Sequence, residues 1–159
     1  MTTRIDELYE TDFYTWTKEQ AKALRALEVT RPNAPIDWPH LILEVLDLGK
    51  EQRNALRSWT TRIIEHLLKL EHSPATAPRR GWTEEITGFR QEIRNRITPA
   101  LRRDLTTRLP RLYREARTDL VSTLRRLGEA SDADRLPEAC PYTLDQLLET
   151  SWWPAERQG

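Results

Sequence analysis

The feature that most constrains the fold is an apolar stripe between residues 50 and 71. Its members follow one another at steps of three and four residues, and they are Leu56, Trp59, Ile63, Leu67 and Leu70. Such steps place side chains on one face of an α-helix, whereas a half-buried strand alternates every second residue. The stripe is too short for an extended coiled coil. It therefore predicts a helix from Lys50 to about Glu71 that packs inside a helical bundle.

Helical spacing also predicts most of the remaining elements. Asp12 is the expected N-cap of one helix, and Thr143 and Gln146 have the spacing of a capping box. The helix that ends at Gly49 is apolar on several sides, which predicts a central position. In chain order, the further helices are a short turn at residues 5–9, Asp12–Glu28, Asp37–Gly49, residues 82–97, Leu101–Leu127 and a short last helix from Thr143.

Prolines and small residues predict where these helices end. The segments 31–35, 72–81 and 131–141 are expected to be loops. Pro110 removes a backbone donor inside a long helix and clashes with the carbonyl of Thr106, so a kink or a break is expected there. Valine and isoleucine are sparse beside leucine, which disfavours β-sheet. The predicted fold is one all-α domain over residues 1–159, a compact bundle of about five helices with a kinked long helix and a short C-terminal helix.

Several classes of protein are disfavoured by composition. The longest purely apolar runs have three residues, whereas a membrane-spanning helix needs about 20. The N-terminus has no apolar stretch of signal-peptide length. Cys140 is the only cysteine, so no internal disulfide and no cysteine-rich zinc site can form. A cytoplasmic protein without a membrane partner is expected, with Cys140 packed near a turn.

Three short motifs occur in an order that resembles a known family. They are Asp12-Phe-Tyr-Thr-Trp16, His66-Leu-Leu-Lys69 and Cys140-Pro-Tyr-Thr143. With the landmarks between them, the similarity extends from about Tyr9 to Pro154. The chain resembles the bacterial domain-of-unknown-function family twenty-nine, whose members are small and helical. The resemblance implies an all-helical fold and carries no established activity.

Two positions depart from the pattern of that family. Members usually have two adjacent glutamates in the second helix, whereas this chain has Leu43 followed by Glu44. Members usually have Ser-Trp where this chain has Gly81-Trp82. The missing carboxylate weakens any proposal of a metal site on that helix.

A weak metal-site hypothesis rests on His40, Glu44 and His66. His40 and Glu44 lie four residues apart on one helix face, and His66 lies on the next predicted helix, so the three could converge in a bundle core. The simpler interpretation places His66 at the edge of the core beside Trp59 and Ile63, bonded to a backbone or carboxylate partner. No metal and no cofactor are predicted.

Glu44 is also the best single candidate for an acid or base, because the helix around it is so apolar. A buried or half-buried pair between Glu44 and an arginine such as Arg90 is the favoured interpretation. No nucleophile triad, phosphate-binding glycine loop or dinucleotide motif is present, so an enzyme is not favoured.

The middle of the chain is rich in arginine. Residues 79–126 contain 13 arginines and six acids. Phosphates of nucleic acid could bind such a face. The acids interleave with the arginines and the isoelectric point is only about 6.9, so a solvated, salt-bridged face is the simpler interpretation. The candidate residues for the anion or nucleic-acid face are Arg102, Arg103, Arg114 and Arg117.

Trp152 and Trp153 are the candidate partner-binding residues. Consecutive residues cannot both face inward on a helix, so one of them could be exposed. The alternative, that both clamp the tail onto the bundle, is favoured because Pro154 fixes the chain direction.

A non-enzymatic protein-interaction or regulatory helical module is therefore the favoured function. Its partner would be an unidentified protein or a second copy of the chain. The first alternative is a nucleic-acid-associated regulator that uses the face from Arg102 to Arg126. The second is a metal-binding or acid/base enzyme around Glu44 and His66.

Overall fold

Regular secondary structure is entirely α-helical in the part of the chain that the structure describes, which confirms the predicted fold class. The structure is a computed structural model that describes residues 2–155, with side chains from residue 4 onward. In chain order the helices of this range are α1 (Thr2–Thr11), α2 (Phe13–Thr30), α3 (Trp38–His72), α4 (Arg79–Arg96), α5 (Pro99–Arg126), α6 (Ala130–Asp134) and α7 (Leu144–Leu148).

The chain divides into two compact units. Unit 1 comprises Met1–Ala55 together with Thr98–Arg103, and unit 2 comprises Leu56–Ile97 together with Asp104–Gly159. Helices α3 and α5 contribute residues to both units, so neither unit is a continuous stretch of sequence.

Gly49 lies inside a helix rather than at the end of one. Helix α3 continues unbroken from Trp38 to His72, so the predicted boundary between Gly49 and Lys50 is wrong. A Cβ atom at Gly49 would collide with Oγ1 of Thr17 on α2. Glycine therefore serves close packing between α2 and α3 here, and its usual helix-ending role is overridden.

The buried face of α2 does not contain its largest apolar side chains. The buried residues are Tyr14, Thr17 and Ala21, while Phe13 and Trp16 are half-buried. Thr17 and Tyr14 lie against α3 at Gly49, where the two helices approach closely. In unit 1, Ala21 packs with Trp38 and Ile42, and Leu24, Ala34 and Leu46 partly cover this cluster.

The apolar stripe of residues 56–70 forms the centre of unit 2, as predicted. Leu56, Ile63 and Leu67 are completely buried, and Leu70 is nearly so. Trp59 is half-buried, and the Arg96 guanidinium lies over its ring at 5.1 Å from the centroid. Helix α4 adds two buried isoleucines and α5 adds a leucine stripe, namely Ile86, Ile93, Leu105, Leu112, Leu120 and Leu124.

Side chains cap several helices at the predicted residues. The Asp12 carboxylate accepts a hydrogen bond from the backbone N–H of Thr15 (3.0 Å). At α7, Thr143 and Gln146 form both bonds of the predicted capping box. Pro99 begins α5, in the first-turn position where a missing N–H costs nothing. Gly128, after α5, has φ +79°, a backbone conformation that glycine adopts readily.

Two predicted interruptions do not occur. Helix α5 continues through Pro110 as one long helix, so of the predicted kink or break the break does not occur. The predicted loop at residues 131–141 is wrong at its start, where α6 forms and buries Asp132 and Ala133. No helix in residues 2–155 is long and apolar enough to cross a bilayer.

Candidate functional site

His40, Glu44 and His66 are not brought together as a metal site. No group of three or more histidine, cysteine or acidic side chains in the described range could hold a metal ion. His40 is exposed, and its Nδ1 lies 2.7 Å from Oδ2 of Asp37, which raises the pKa of His40. Glu44 is exposed, so the prediction of a buried or half-buried pair with an arginine is wrong.

His66 occupies the buried position that the simpler interpretation gave it. It lies in unit 2, where its Nε2 contacts Oε2 of Glu85 on α4 and its ring stacks on Phe89, with centroids 6.4 Å apart. Burial lowers the pKa of His66, and the charges of Lys69 and Arg62 add to this effect; Glu85 opposes it. His66 is therefore neutral at neutral pH, and it joins α3 to α4 rather than facing a cleft.

Arg90 is the most buried charged side chain in unit 2 and was assigned the wrong partner from sequence. It is 1% exposed. Its Nε donates to the carbonyl of Leu147 (2.8 Å) and its Nη2 to that of Gln146 (3.1 Å). Burial lowers the pKa of Arg90 to about 10, which still leaves the guanidinium charged at neutral pH. Arg90 thus ties α4 to the carbonyl end of α7.

Trp152 and Trp153 both contact other side chains of unit 2. The Trp152 ring meets that of Tyr142 edge to face, with centroids 5.9 Å apart. Trp153 covers Arg90, whose guanidinium carbon lies 4.8 Å from the centre of the indole ring. Trp153 remains 38% exposed. This geometry supports the clamping interpretation more than an open partner site at the tail.

The predicted arginine-rich face is interrupted by internal pairing. Arg102 and Arg103 are exposed in unit 1, whereas Arg114 and Arg117 belong to unit 2. Arg117 donates from Nε to the carbonyl of Pro137 (2.9 Å). Arg114 lies in an open depression of mixed charge, lined by Arg111, Arg114, Glu115, Thr118 and Asp119.

A buried polar group beside Arg117, the hydroxyl of Tyr113, was not anticipated from sequence. The Tyr113 hydroxyl also donates to the carbonyl of Pro137 (2.5 Å), and burial raises the pKa of Tyr113 to about 12. Cys140 is half-buried, as expected, and its Sγ donates to the carbonyl of Tyr142 (3.4 Å). Burial raises the pKa of the Cys140 thiol, which disfavours the reactive thiolate.

Exposed apolar side chains concentrate in unit 1. Ten large apolar side chains are exposed in the described range, and eight of them belong to this unit. We call these eight the apolar surface of unit 1; they are Ile5, Tyr9, Leu27, Val29, Ile36, Leu41, Leu43 and Leu48.

The first half of α3 carries the densest part of this surface. Three of its four leucines, Leu41, Leu43 and Leu48, are 40–49% exposed. Leu41, Val45 and Leu48 follow one another at helical steps and therefore share one face. The prediction that this segment is central is wrong here. The sequence did contain a sign of this exposure. A helix that is apolar on several sides can bury one side in its own domain and expose another side to a partner.

An aromatic cluster joins α1 to α2 in the same unit. The Tyr9 ring meets Phe13 and Trp16 edge to face, with centroids 5.6 and 4.9 Å apart. Phe13 and Trp16 stack on each other at 5.6 Å. Tyr9 remains exposed while it makes these contacts, so the cluster forms part of the apolar surface of unit 1.

The family model for the domain of unknown function DUF29 matches residues 8–153. The chain belongs to this family. A crystal structure of an alpha-helical protein of unknown function from Rhodospirillum rubrum is similar, with a TM-score of 0.77 and 24% sequence identity. The similarity covers 91% of this chain and 90% of that one, and at this identity it shows the fold alone. A comparison with functionally curated proteins gives no significant match.

The motifs that carried the resemblance have structural roles in this DUF29 protein. Asp12 caps α2. The His66-Leu-Leu-Lys69 segment supplies His66 to the contact with α4, and the Lys69 ammonium lies 5.7 Å from the centre of the Trp82 ring. Tyr142 is buried, and Thr143 caps α7. These residues stabilise helix ends and helix contacts.

Proposed function

We propose that this DUF29 protein is a non-enzymatic interaction module that binds an apolar helical face of another protein through the apolar surface of unit 1. One observation carries the proposal: eight of the ten large apolar side chains exposed in the described range lie in this unit. Single exposed apolar residues are ordinary, but their concentration in one part of a molecule is typical of binding surfaces.

The chemistry of the surface favours a helical partner with apolar side chains. Leu41 and Leu48 lie on one face of a regular helix, and such a ridge packs against the grooves of another helix. Burial of these apolar side chains would supply most of the affinity. The buried ionisable residues of unit 2, His66 and Arg90, are occupied by internal contacts that stabilise the fold.

The test is a double substitution that places charge on the surface without disturbing the core. L41D/L48D changes two exposed residues of α3, and L127D is the matched control because Leu127 is an exposed leucine of unit 2. The partner is captured from cells that produce the protein, purified, and titrated against each variant by calorimetry. Sedimentation of the protein alone measures self-association. Circular dichroism confirms that each variant is folded.

We expect L41D/L48D to weaken the interaction by at least about a hundredfold, because two carboxylates would lose their hydration in an apolar interface. L127D should bind as the wild type does. If the wild-type protein binds neither another protein nor itself, or if both variants bind equally well, the proposal is wrong.

A further inference from the structure

Two cationic side chains, Lys18 and Arg53, lie near Tyr14 in unit 1. Tyr14 lies on the buried face of α2 and is 8% exposed. The Lys18 ammonium lies 4.4 Å from the centre of its ring. Burial raises the pKa of Tyr14, but hydrogen bonds and charges from Lys18 and Arg53 lower it below its ordinary value. The phenol therefore lies in an electropositive environment.

Neither cation is neutralised by a carboxylate in the described range. No ion pair there involves Lys18 or Arg53. Arg53 donates from Nη2 to the neutral side chain of Asn54 (3.4 Å), and its buried Nε has no hydrogen-bond partner among these residues. Arg57 lies one turn later on α3, and it does pair with a carboxylate: it forms a bidentate ion pair with Asp104.

The contact at Gly49 explains how these groups come together. Gly49 lies against Thr17 and Tyr14 of α2. A Cβ atom on Gly49 would lie 3.4 Å from Cδ2 of Tyr14. Arg53 follows Gly49 by one helical turn and so lies on the same face of α3. Lys18 follows Tyr14 by one turn on α2. The close packing of the two helices therefore holds both cations beside one phenol.

We propose that Lys18, Arg53 and the hydroxyl group of Tyr14 form a binding site for a phosphate group. Two positive charges match a phosphate dianion, and its oxygens can accept hydrogen bonds from all three side chains. A carboxylate carries one negative charge and would leave one cation uncompensated. The site shares no residue with the apolar surface of unit 1, so it is independent of the proposed protein interaction.

Inorganic phosphate is the probe for this site. The full chain is titrated with phosphate at neutral pH, followed by two-dimensional NMR of the backbone amides, with sodium chloride and sodium acetate at equal ionic strength as reference titrations. We expect saturable shifts at residues 14–18 and 49–53 with phosphate alone. Equal shifts with chloride or acetate, or none with any salt, would overturn the proposal.

Variants separate a specific site from general screening of charge. K18Q and R53Q should each weaken phosphate binding about tenfold or more, because each removes a charged hydrogen-bond donor. Y14F keeps the packed ring, removes the hydroxyl donor, and should weaken binding less. R31Q is the charge-matched control, since Arg31 lies exposed at the far end of α2.

R31Q should bind phosphate as the wild type does. Equal weakening in R31Q and K18Q would show a nonspecific effect and overturn the proposal. Lys18 is exposed, so K18Q keeps the test valid even where R53Q unfolds.

Discussion

Arg90 organises two backbone carbonyl groups at the end of a short helix. Leu147 and Gln146 lie in the last turn of α7, where carbonyl groups have no helical partner. The planar guanidinium of Arg90 bonds both of them, and Trp153 covers its face. A charge can remain buried here because its hydrogen bonds and its contact with an aromatic ring offset part of the lost hydration.

Removing the Arg90 side chain should destabilise the protein by about 2–4 kcal/mol, because R90A opens a cavity and leaves two carbonyls without donors. R90K keeps the charge but cannot bond both carbonyls, so an intermediate loss is expected. Urea unfolding followed by circular dichroism measures both. R94A is the control, since Arg94 is exposed on the same helix, and it should change stability by no more than about 0.5 kcal/mol. A wild-type stability for R90K would contradict the two-carbonyl account.

His66 should make the protein less stable in mild acid. Its pKa in the folded state is lowered, chiefly by burial and further by Lys69 and Arg62, against the opposing effect of Glu85. The unfolded chain therefore binds a proton at a higher pH than the folded protein does. Stability is fully present above the unfolded pKa of about 6.5 and falls as pH drops from there towards the folded pKa.

The measurement compares unfolding free energies at neutral pH and at about pH 5, in the range where histidine titrates. H66Q should lose less stability across this interval than the wild type. The difference should be up to about 1.4 kcal/mol for each unit by which the folded-state pKa of His66 lies below the unfolded pKa. H40Q is the control, because His40 is exposed and Asp37 raises its pKa, so its contribution has the opposite sign. If H66Q loses as much unfolding free energy between neutral pH and about pH 5 as the wild type does, His66 is not the cause of the acid sensitivity.

The partner of His66 could be anticipated from sequence, and that of Arg90 could not. A histidine on a helical apolar stripe is expected to need a polar partner at the edge of the core, and Glu85 supplies it. Arg90 instead bonds a carbonyl 57 positions later in the chain. Residue types indicate which side chains need partners, but backbone acceptors so distant in sequence are chosen by the tertiary fold.

At the scale of helices, Gly49 and Gly128 show why residue type alone misplaces boundaries. Gly49 ends the predicted helix Asp37–Gly49, and Gly128 directly follows the predicted helix Leu101–Leu127. In the structure Gly128 follows the end of α5 with a positive φ, whereas Gly49 lies buried in α3 against Thr17. The same contact buries Thr17 on α2, because closely spaced helices leave little room between them.

Substituting alanine at Gly49 should destabilise the protein by about 1–3 kcal/mol through overpacking, although alanine is favoured over glycine inside helices by about 1 kcal/mol. G88A is the matched control: Gly88 lies in α4 with nothing within 4 Å of the Cβ position, so this change should stabilise by up to about 1 kcal/mol. Urea unfolding of both variants gives the comparison. The loss at Gly49 should shrink when Thr17 is also replaced by alanine; an unchanged loss would contradict the assigned collision.

At the scale of the whole molecule, the all-helical class could be predicted because every long segment has helical periodicity. The division into two units could not, since it depends on which helices meet and not on any one of them. The stripe of α3 from Leu56 to Leu70 is buried as predicted, but the segment before it carries exposed leucines. Periodicity predicts a helix and its apolar side, and it does not indicate whether that side is covered by the same chain.

We expect the two units to differ in local stability. Unit 1 buries few large apolar side chains, whereas the part of α3 from Leu56 to His72 lies in a continuous core of leucine and isoleucine. Hydrogen exchange followed by mass spectrometry should therefore find faster exchange in α2 than in residues 56–72, after correction for intrinsic rates. Equal protection in both segments would show that the chain opens as one cooperative unit.

The interleaving of the two units along the chain has a consequence for how such proteins can change in evolution. A recombination event that exchanged unit 1 between relatives would have to cut α3 between Ala55 and Leu56 and also replace the six residues Thr98–Arg103. A single crossover cannot do both. We therefore expect inheritance of the two units together, with new binding specificity arising by substitution at exposed positions such as Leu41 and Leu48 rather than by shuffling of modules.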